Sequence, residues 1–464
     1  MSRVLLINPL IREWAKPNVF PTGLGYIAAV LKKEGHEVMV LDLNARRDLS
    51  IDQLYLSSLI GDGITPYNPD LIGIGGIITQ YGEVKRIAAI CRRILPQIPI
   101  VCGGPLATTV PELLIGNTQV DITVSGEGER AVKYLMSLLS EPLSLSGHLG
   151  MMSPIVDLDT NPYPAYALFP MDIYLNNPIA ADNRDKWNEG EWKQETIQRK
   201  SMNMIGTRGC IFHCIFCHHG FQDQGYRMRN PIEVVKEMKF LGQKYGVTYI
   251  HFTDDAFACN RKFVEGFCLE MLDQMSHSDY RWDISWSCAG RANIMTEALV
   301  DQMRWAGCEG ICYGLESGSQ RMLDVMNKKI TVDQYRRAIA LNKGNFTYED
   351  YTFIVGTPGE TWDTVKESVQ FCKDEGIVPS AVFYMTPYPG TPLFKKLCLS
   401  SKKFAIIYED KVKFEEFILR LGEQGEQMVW NCSGRPDEEV KEWHRYFLEE
   451  TKAWNRKKHL TKAN

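Results

Sequence analysis

The 464-residue sequence predicts an α/β chain: a doubly wound, flavodoxin-like parallel sheet, then a partial (β/α)6 barrel and a short helical C-terminal region. Three observations predict it. Strand-like apolar runs alternate with helical ones at two scales, a proline-rich stretch separates the two series, and glycines stand at the strand-to-helix turns.

In the first series, residues 1–140, Arg3–Ile7, Val38–Leu43, Leu71–Ile74, Ile98–Cys102 and Asp121–Ser125 read as strands. Leu24–Leu31, Gln53–Ile60, Val84–Leu95, Val110–Ile115 and Arg130–Leu139 read as helices between or after them. In such a sheet ligands are expected beyond the carboxyl ends of the strands. There the sequence places Gly75-Gly76, Gly103-Gly104-Pro105 and Gly126-Glu127-Gly128-Glu129. Glycine lets backbone turn tightly and approach a ligand, although any fold of this type needs some glycine at these turns.

Residues 141–200 are expected to be linker and loop. Asp157–Pro170 holds three prolines in fourteen residues, and Met171–Lys200 reads as a solvated connection or a cover over a substrate. In 201–395 six strands are expected, at Met202–Thr207, Thr248–Thr253, Trp282–Cys288, Gly310–Leu315, Tyr351–Val355 and Ala381–Met385. Helical stretches such as Pro231–Tyr245 lie between them, and functional groups are expected at the strands' carboxyl ends. In 396–464 Pro436–Trp454 reads as an amphipathic helix, with acids first, bases last, and Val440, Trp443, Phe447 and Trp454 as its packing stripe.

Composition narrows the function. A net charge of −5 leaves no basic excess for phosphates, so no nucleic acid is expected. No apolar run has the length of a membrane span, and the first residues do not read as a signal peptide, so the cytoplasm is expected. Thirteen cysteines are an odd, scattered set, which suits ligands and core residues better than a disulfide framework. Three of them form C-x3-C-x2-C at Cys210, Cys214 and Cys217. Thiolates are the preferred ligands of iron–sulfur clusters, and three ligands on four irons leave one iron open. Zinc is the competing metal, with His213, His218 or His219 as fourth ligand. Arg208, Gly209 and Gly220 mark a polar turn, a poor place for three buried thiols. Cys308, Cys312 and Cys288 read as strand residues that pack, so one cluster is expected.

The run GTRGCIFHCIFCHHG, with Phe216 before its last cysteine, resembles the radical S-adenosylmethionine (radical SAM) superfamily. The resemblance continues through TDDAF (Thr253–Phe257), WSCAGRAN (Trp286–Asn293), GLESGS (Gly314–Ser319), IVGTPGET (Ile354–Thr361) and TPYPGTPL (Thr386–Leu393). Joined to the first sheet and its VSGEGE, it resembles the subfamily that carries a cobalamin-binding domain. It spans roughly residues 3–395 and implies a 4Fe-4S cluster on Cys210, Cys214 and Cys217, with S-adenosylmethionine on the open iron. Asp254, Asp255 and above all Glu316 are then the expected acceptors for its amine and ribose, and Asp254 could equally be a helix cap. Arg291 is expected to pair with its carboxylate or with one of these acids. The backbone from Phe353 to Gly356 would lie along the adenine.

A D-x-H-x-x-G signature is absent, so cobalamin would lack a histidine lower ligand. Ile77 to Tyr81, with Gly76 and Thr79, would face the cobalt; Gly103, Gly104 and Thr108 would border the nucleotide tail, and Gly126 and Glu127 the far edge. The resemblance implies a cobalamin-dependent C-methyltransferase acting on an unactivated carbon of a small molecule, served by an electron donor such as flavodoxin or ferredoxin. The alternatives are an oxidative cyclase or rearrangement enzyme of the magnesium-protoporphyrin ester cyclase type, and a cobalamin carrier or sensor with a vestigial barrel. A methylthiotransferase is disfavoured, because the first domain offers only Cys91 and Cys102. Trp14, the Pro9–Pro21 loop, residues 171–200, Tyr388 and Trp430 are expected near a substrate pocket.

Overall fold

A computed structural model describes residues 1–11, 17–46, 58, 60–61, 66–139, 146–177, 199–218, 224–277, 283–422 and 427–462. Trp14, most of the 53–60 helix, residues 178–198, His219 and Gly220 lie outside the described residues.

The first six strands are β1 (Arg3–Asn8), β2 (Glu37–Asp42), β3 (Leu71–Gly75), β4 (Ile100–Gly103), β5 (Ile122–Val124) and β6 (Gly147–Leu149). They form one parallel sheet in the order β2-β1-β3-β4-β5-β6. The central strands are apolar because both faces are covered. Leu5 and Ile7 pack on one side with Ile72, Ile74 and Ile87, and Val4 and Leu6 pack on the other with Val30, Leu31 and Leu135. The order reverses between β1 and β3, so the expected doubly wound sheet is present, extended by β6. That strand lies in the stretch read as linker; with only three residues, two of them glycine or polar, it carries no alternating pattern.

The second sheet contains β7 (Ser201–Met204), and a two-stranded ribbon follows it, β8 (Thr207–Arg208) against β9 (Arg227–Met228). β10 (Tyr249–Phe252), β11 (Ser285–Ala289), β12 (Cys308–Glu316), β13 (Tyr348–Val355) and β14 (Ala381–Tyr384) complete it. Its order is β14-β13-β12-β11-β10-β7, every pair parallel, as a partial barrel requires. Helices between the strands cover the outside. Helix Pro231–Tyr245 is capped by Asn230, whose side chain accepts from the Ile232 N–H, and it ends on left-handed Gly246.

The C-terminal helix runs Asp437–Lys462, longer than the pattern suggests. Its stripe is core: Val440, Trp443 and Phe447 are buried, with Phe447 against Phe353 and Trp443 edge-on to Trp362. The shorter helices Lys402–Glu409 and Lys411–Gly422 turn back to the first domain, where Phe404, Phe417, Ile418 and Leu421 join its core.

The proline-rich linker sends some of its side chains into the core. Tyr166 and Phe169 pack on Phe20 at 5.0 and 4.7 Å between ring centres, inside the barrel's core cluster. The Asn203 side chain of β7 accepts from the Phe20 N–H at 2.6 Å and donates to the Phe20 carbonyl at 3.1 Å, tying the two sheets together.

Candidate active site

The cysteines follow β8 on a loop that other segments hold by its backbone. The Ile215 N–H donates to the Met326 carbonyl at 3.0 Å, and the Ile215 carbonyl accepts from the Leu393 N–H at 2.9 Å. The Asn327 side chain donates to the His213 carbonyl at 2.7 Å. Phe216 and Ile215 pack beside Met326, Met385 and Leu393. Cys214 is buried, and Cys210 and Cys217 are half-buried. A lone buried thiol is costly to ionise, and burial does push Cys214 up, but the neighbouring Lys328 and Arg291 pull against it, with Arg291 hydrogen-bonded to the sulfur. Among the described residues no three His, Cys, Asp or Glu side chains crowd closely enough for one ion. A cluster, which takes each thiolate on a different iron, asks for wider spacing. Cysteine donors on a clamped loop beside two buried cations fit such a cluster.

Lys328 is the residue the sequence concealed. Asn327 and Lys329 on either side of it have φ of 54° and 53°. That left-handed path is uncommon outside glycine, and it turns Lys328 inward. Its ammonium donates to Glu316 at 2.8 Å and lies 5.7 Å from the Phe216 ring. Glu316, at the end of β12, is itself left-handed with φ of 64°. Arg291 donates to the Lys328 carbonyl and stacks 3.2 Å from the centre of the Phe212 ring. Arg291, Glu316 and the cluster loop thus meet around the Met326–Lys328 turn. Another residue that sequence reading passed over is Cys259, whose thiol is pushed up to about 12 by burial and then by Cys210 beside it.

Two further acids at the strand ends bond backbone. Asp254, after β10, accepts from the Gly206 N–H at 2.9 Å and from the Thr207 N–H, which braces the approach to Cys210. Burial raises its carboxyl to about 7 against those bonds. Glu360 accepts from the Gly356 N–H at 2.6 Å and the Thr357 N–H at 3.0 Å, closing the turn after β13, and burial raises it to about 7 as well.

A cavity of about 500 Å³ lies between the two sheets. On one side it is lined by the glycine turns Gly75–Ile77, Gly103-Gly104 and Gly126–Glu129, on the other by Thr207–Gly209 and Thr253–Asp255. Gly104 has φ of 87°, and a Cβ there would come within 2.8 Å of the Gly76 carbonyl oxygen. Only glycine keeps this edge open. Gly76, Gly103, Gly104, Gly126, Glu127, Asp254 and Asp255 therefore border one space, a cradle that fits a large cofactor laid on backbone. Thr79 and His148 are not among its walls: the Thr79 carbonyl lies against Gly422, and His148 bonds Thr123 on β5. Arg291 and Glu316 stand at the cluster loop instead. A smaller cavity of about 210 Å³ joins Phe216 and Ile354 to Met385 and Tyr388. Trp430 packs on Phe404 at 4.9 Å between ring centres, within the first domain's core.

Glu127 is fully engaged. Both its oxygens accept from Arg227, at 2.7 and 2.9 Å, and Arg208 adds a contact at 3.3 Å. Burial alone would raise its carboxyl; the two guanidiniums hold it below the ordinary value.

Residues 204–372 match the model of the radical SAM superfamily, and residues 10–135 that of the B12 binding domain. The chain carries a radical SAM domain and a B12-binding domain. An uncharacterised methyltransferase of Pyrococcus horikoshii is 29% identical to this radical SAM chain over 85% of it and 83% of the relative. The anaerobic magnesium-protoporphyrin IX monomethyl ester cyclase of Rubrivivax gelatinosus is 27% identical over 85% and 70%. Among solved structures, the radical SAM methyltransferase TsrM from Kitasatospora setae, with cobalamin and a [4Fe-4S] cluster bound, superposes with a TM-score of 0.66. It is 20% identical, over 86% of this chain and 76% of that one, and shares the fold. No helix among the described residues is long and apolar enough to cross a membrane.

Proposed function

We propose that this radical SAM chain is a cobalamin-dependent C-methyltransferase acting on an unactivated carbon of a small molecule. One observation carries the reading: a single cavity borders both the glycine edge of the B12-type sheet and Thr207–Gly209, the residues that lead into Cys210. When bound, the cluster with S-adenosylmethionine supplies a 5′-deoxyadenosyl radical, and cobalamin supplies the methyl group.

The chain's own residues then have distinct tasks. Cys210, Cys214 and Cys217 hold the cluster, and Arg291 and Lys328 place positive charge beside Cys214. Glu316, presented by its strained backbone, accepts from the amine of S-adenosylmethionine, and Arg291 or Lys328 answers its carboxylate. Asp254 and Glu360 fix the turns that flank these groups. The apolar floor of the cavity, with Val4, Leu6 and Leu24 among its walls, keeps water from a reactive carbon.

The test is anoxic purification with iron, sulfide and cobalamin supplied, followed by turnover with S-adenosylmethionine and a strong reductant. Cleavage to 5′-deoxyadenosine and a product heavier by one methylene support the reading. Retained cobalamin without any cleavage would point to a carrier instead. The cyclase relative gives a second reading, ring formation or rearrangement, for which the product would lose hydrogen or gain oxygen.

A further inference from the structure

The two halves meet through a knot of buried charge that the reaction itself does not need. In the ribbon β8–β9, Arg208 and Arg227 are paired neighbours. Both reach across to the VSGEGE turn of the first domain. Arg227 takes both oxygens of Glu127, and Arg208 donates to Glu129 at 2.6 Å while touching Glu127. The glutamate side chains are only 5–6% exposed, so these bonds act where water screens little. The Arg208 guanidinium also lies 5.0 Å over the ring of Tyr26, which lines the same cavity.

The backbone between Arg208 and Cys210 has no slack. Gly206 and Thr207 are held by Asp254 on one side. On the other, Gly209 has φ of 83°, and a Cβ on it would come within 2.5 Å of the Gly225 carbonyl oxygen. A shift of the glutamate turn therefore passes through the Arg208 side chain to a backbone fixed one residue short of the first cluster cysteine. The turn and Arg208, joined by these bonds, both line one cavity.

We infer that Arg208 is a positioning residue that couples the two cofactor sites: filling the cavity that Glu129 and Arg208 both line alters the surroundings of the cluster loop, and the cluster alters affinity for the cavity's occupant. This rests on the reading of the two sites given above. Coupling of binding is reciprocal, so one ratio measures it.

The experiment uses the full chain, anoxic, with and without reconstituted cluster, and measures hydroxocobalamin affinity by equilibrium dialysis. The two forms of the natural protein should differ by about fivefold or more. In Glu129→Gln, which leaves the Arg227–Glu127 pair in place, the ratio should fall toward one. Arg208→Lys, which keeps the charge but not the fork, should give an intermediate ratio and serves alone if Glu129→Gln does not fold. A residue that merely supports the fold would weaken both forms equally and leave the ratio as it was. The inference fails if the natural ratio is one, or if the variant that folds keeps the natural ratio. Failure of the underlying reading looks different: the natural chain would then bind no cobalamin or assemble no cluster.

Discussion

The carboxyl edges of the two sheets border one cavity, yet they are built in opposite ways. The first sheet ends in glycine turns, where side chains are missing and backbone lies open. The barrel ends in charges that are each held by a named partner: Asp254 and Glu360 by backbone N–H groups, Glu316 by Lys328, and Arg291 by the Lys328 carbonyl. Absence of side chains suits a broad ligand laid on backbone. Fixed charges suit a small zwitterion with its own amine and carboxylate. The contrast ties each cofactor to a different chemistry of recognition, and substitutions on the two edges should therefore fail in different ways.

The largest effect is expected at the cysteine loop. Cys214→Ala should reduce both iron content and S-adenosylmethionine cleavage to background while leaving cobalamin affinity within about threefold of that of the natural chain without its cluster. Elemental analysis, product chromatography and dialysis on one preparation check this. Iron at the natural level would mean that the cluster is held elsewhere.

Next comes Lys328→Met, which strands the Glu316 carboxylate in a site where its side chain is 9% exposed. Removing one partner of a buried pair costs about 3–5 kcal/mol, seen in denaturant unfolding. Adding Glu316→Leu should recover part of that stability but no activity. If the double variant is as unstable as the single one, the pair is not the source of the loss.

Gly104→Ala is expected to cost less, about 1–3 kcal/mol, for a side chain forced into a left-handed backbone against the Gly76 carbonyl. Its signature is selective: cobalamin affinity falls at least tenfold while cluster loading persists. Equal loss of both cofactors would show general unfolding and not a filled cradle.

The same contrast explains what the sequence could disclose. All six barrel strands and the five main strands of the first sheet were legible, because parallel strands buried on both faces are written as short apolar runs. The cysteine loop was legible from spacing, and the glycine edge from its place after strands. Three features were not. The strap at Asp157–Pro170 has no periodicity, although Tyr166 and Phe169 are core. Lys328 sits in an Asn-Lys-Lys run that reads as solvated charge, since nothing local tells that two left-handed residues will turn it onto Glu316. The ion pairs of Glu127 were the third, since its partners Arg208 and Arg227 lie 81 and 100 positions away. Tertiary pairing of charges over such separations leaves no trace in a local pattern.

The smallest expected effect is a response to pH that again divides the two regions. Asp254 and Glu360, raised by burial to about 7, keep a proton in the folded chain at pH values where the unfolded chain has released it. Folded protein then binds more protons than unfolded, so stability rises as pH falls through 7 and levels off near the ordinary carboxylate range. Over one pH unit centred on 7, each acid contributes roughly 0.7 kcal/mol, half of the full slope for one proton. Glu127 behaves in the reverse sense: held below its ordinary value by arginines, it supports the fold above that value and loses its contribution only as pH falls through its depressed pKa. Between pH 7.5 and 6.5 it is silent. Asp254→Asn should flatten the rise by about half, since the amide oxygen can still accept from the Gly206 N–H, whereas Glu127→Gln should lower stability at both pH values without changing the slope. Urea unfolding of the cofactor-free chain at the two pH values separates these outcomes, and an Asp254→Asn variant with the natural slope would remove Asp254 as a source of the response.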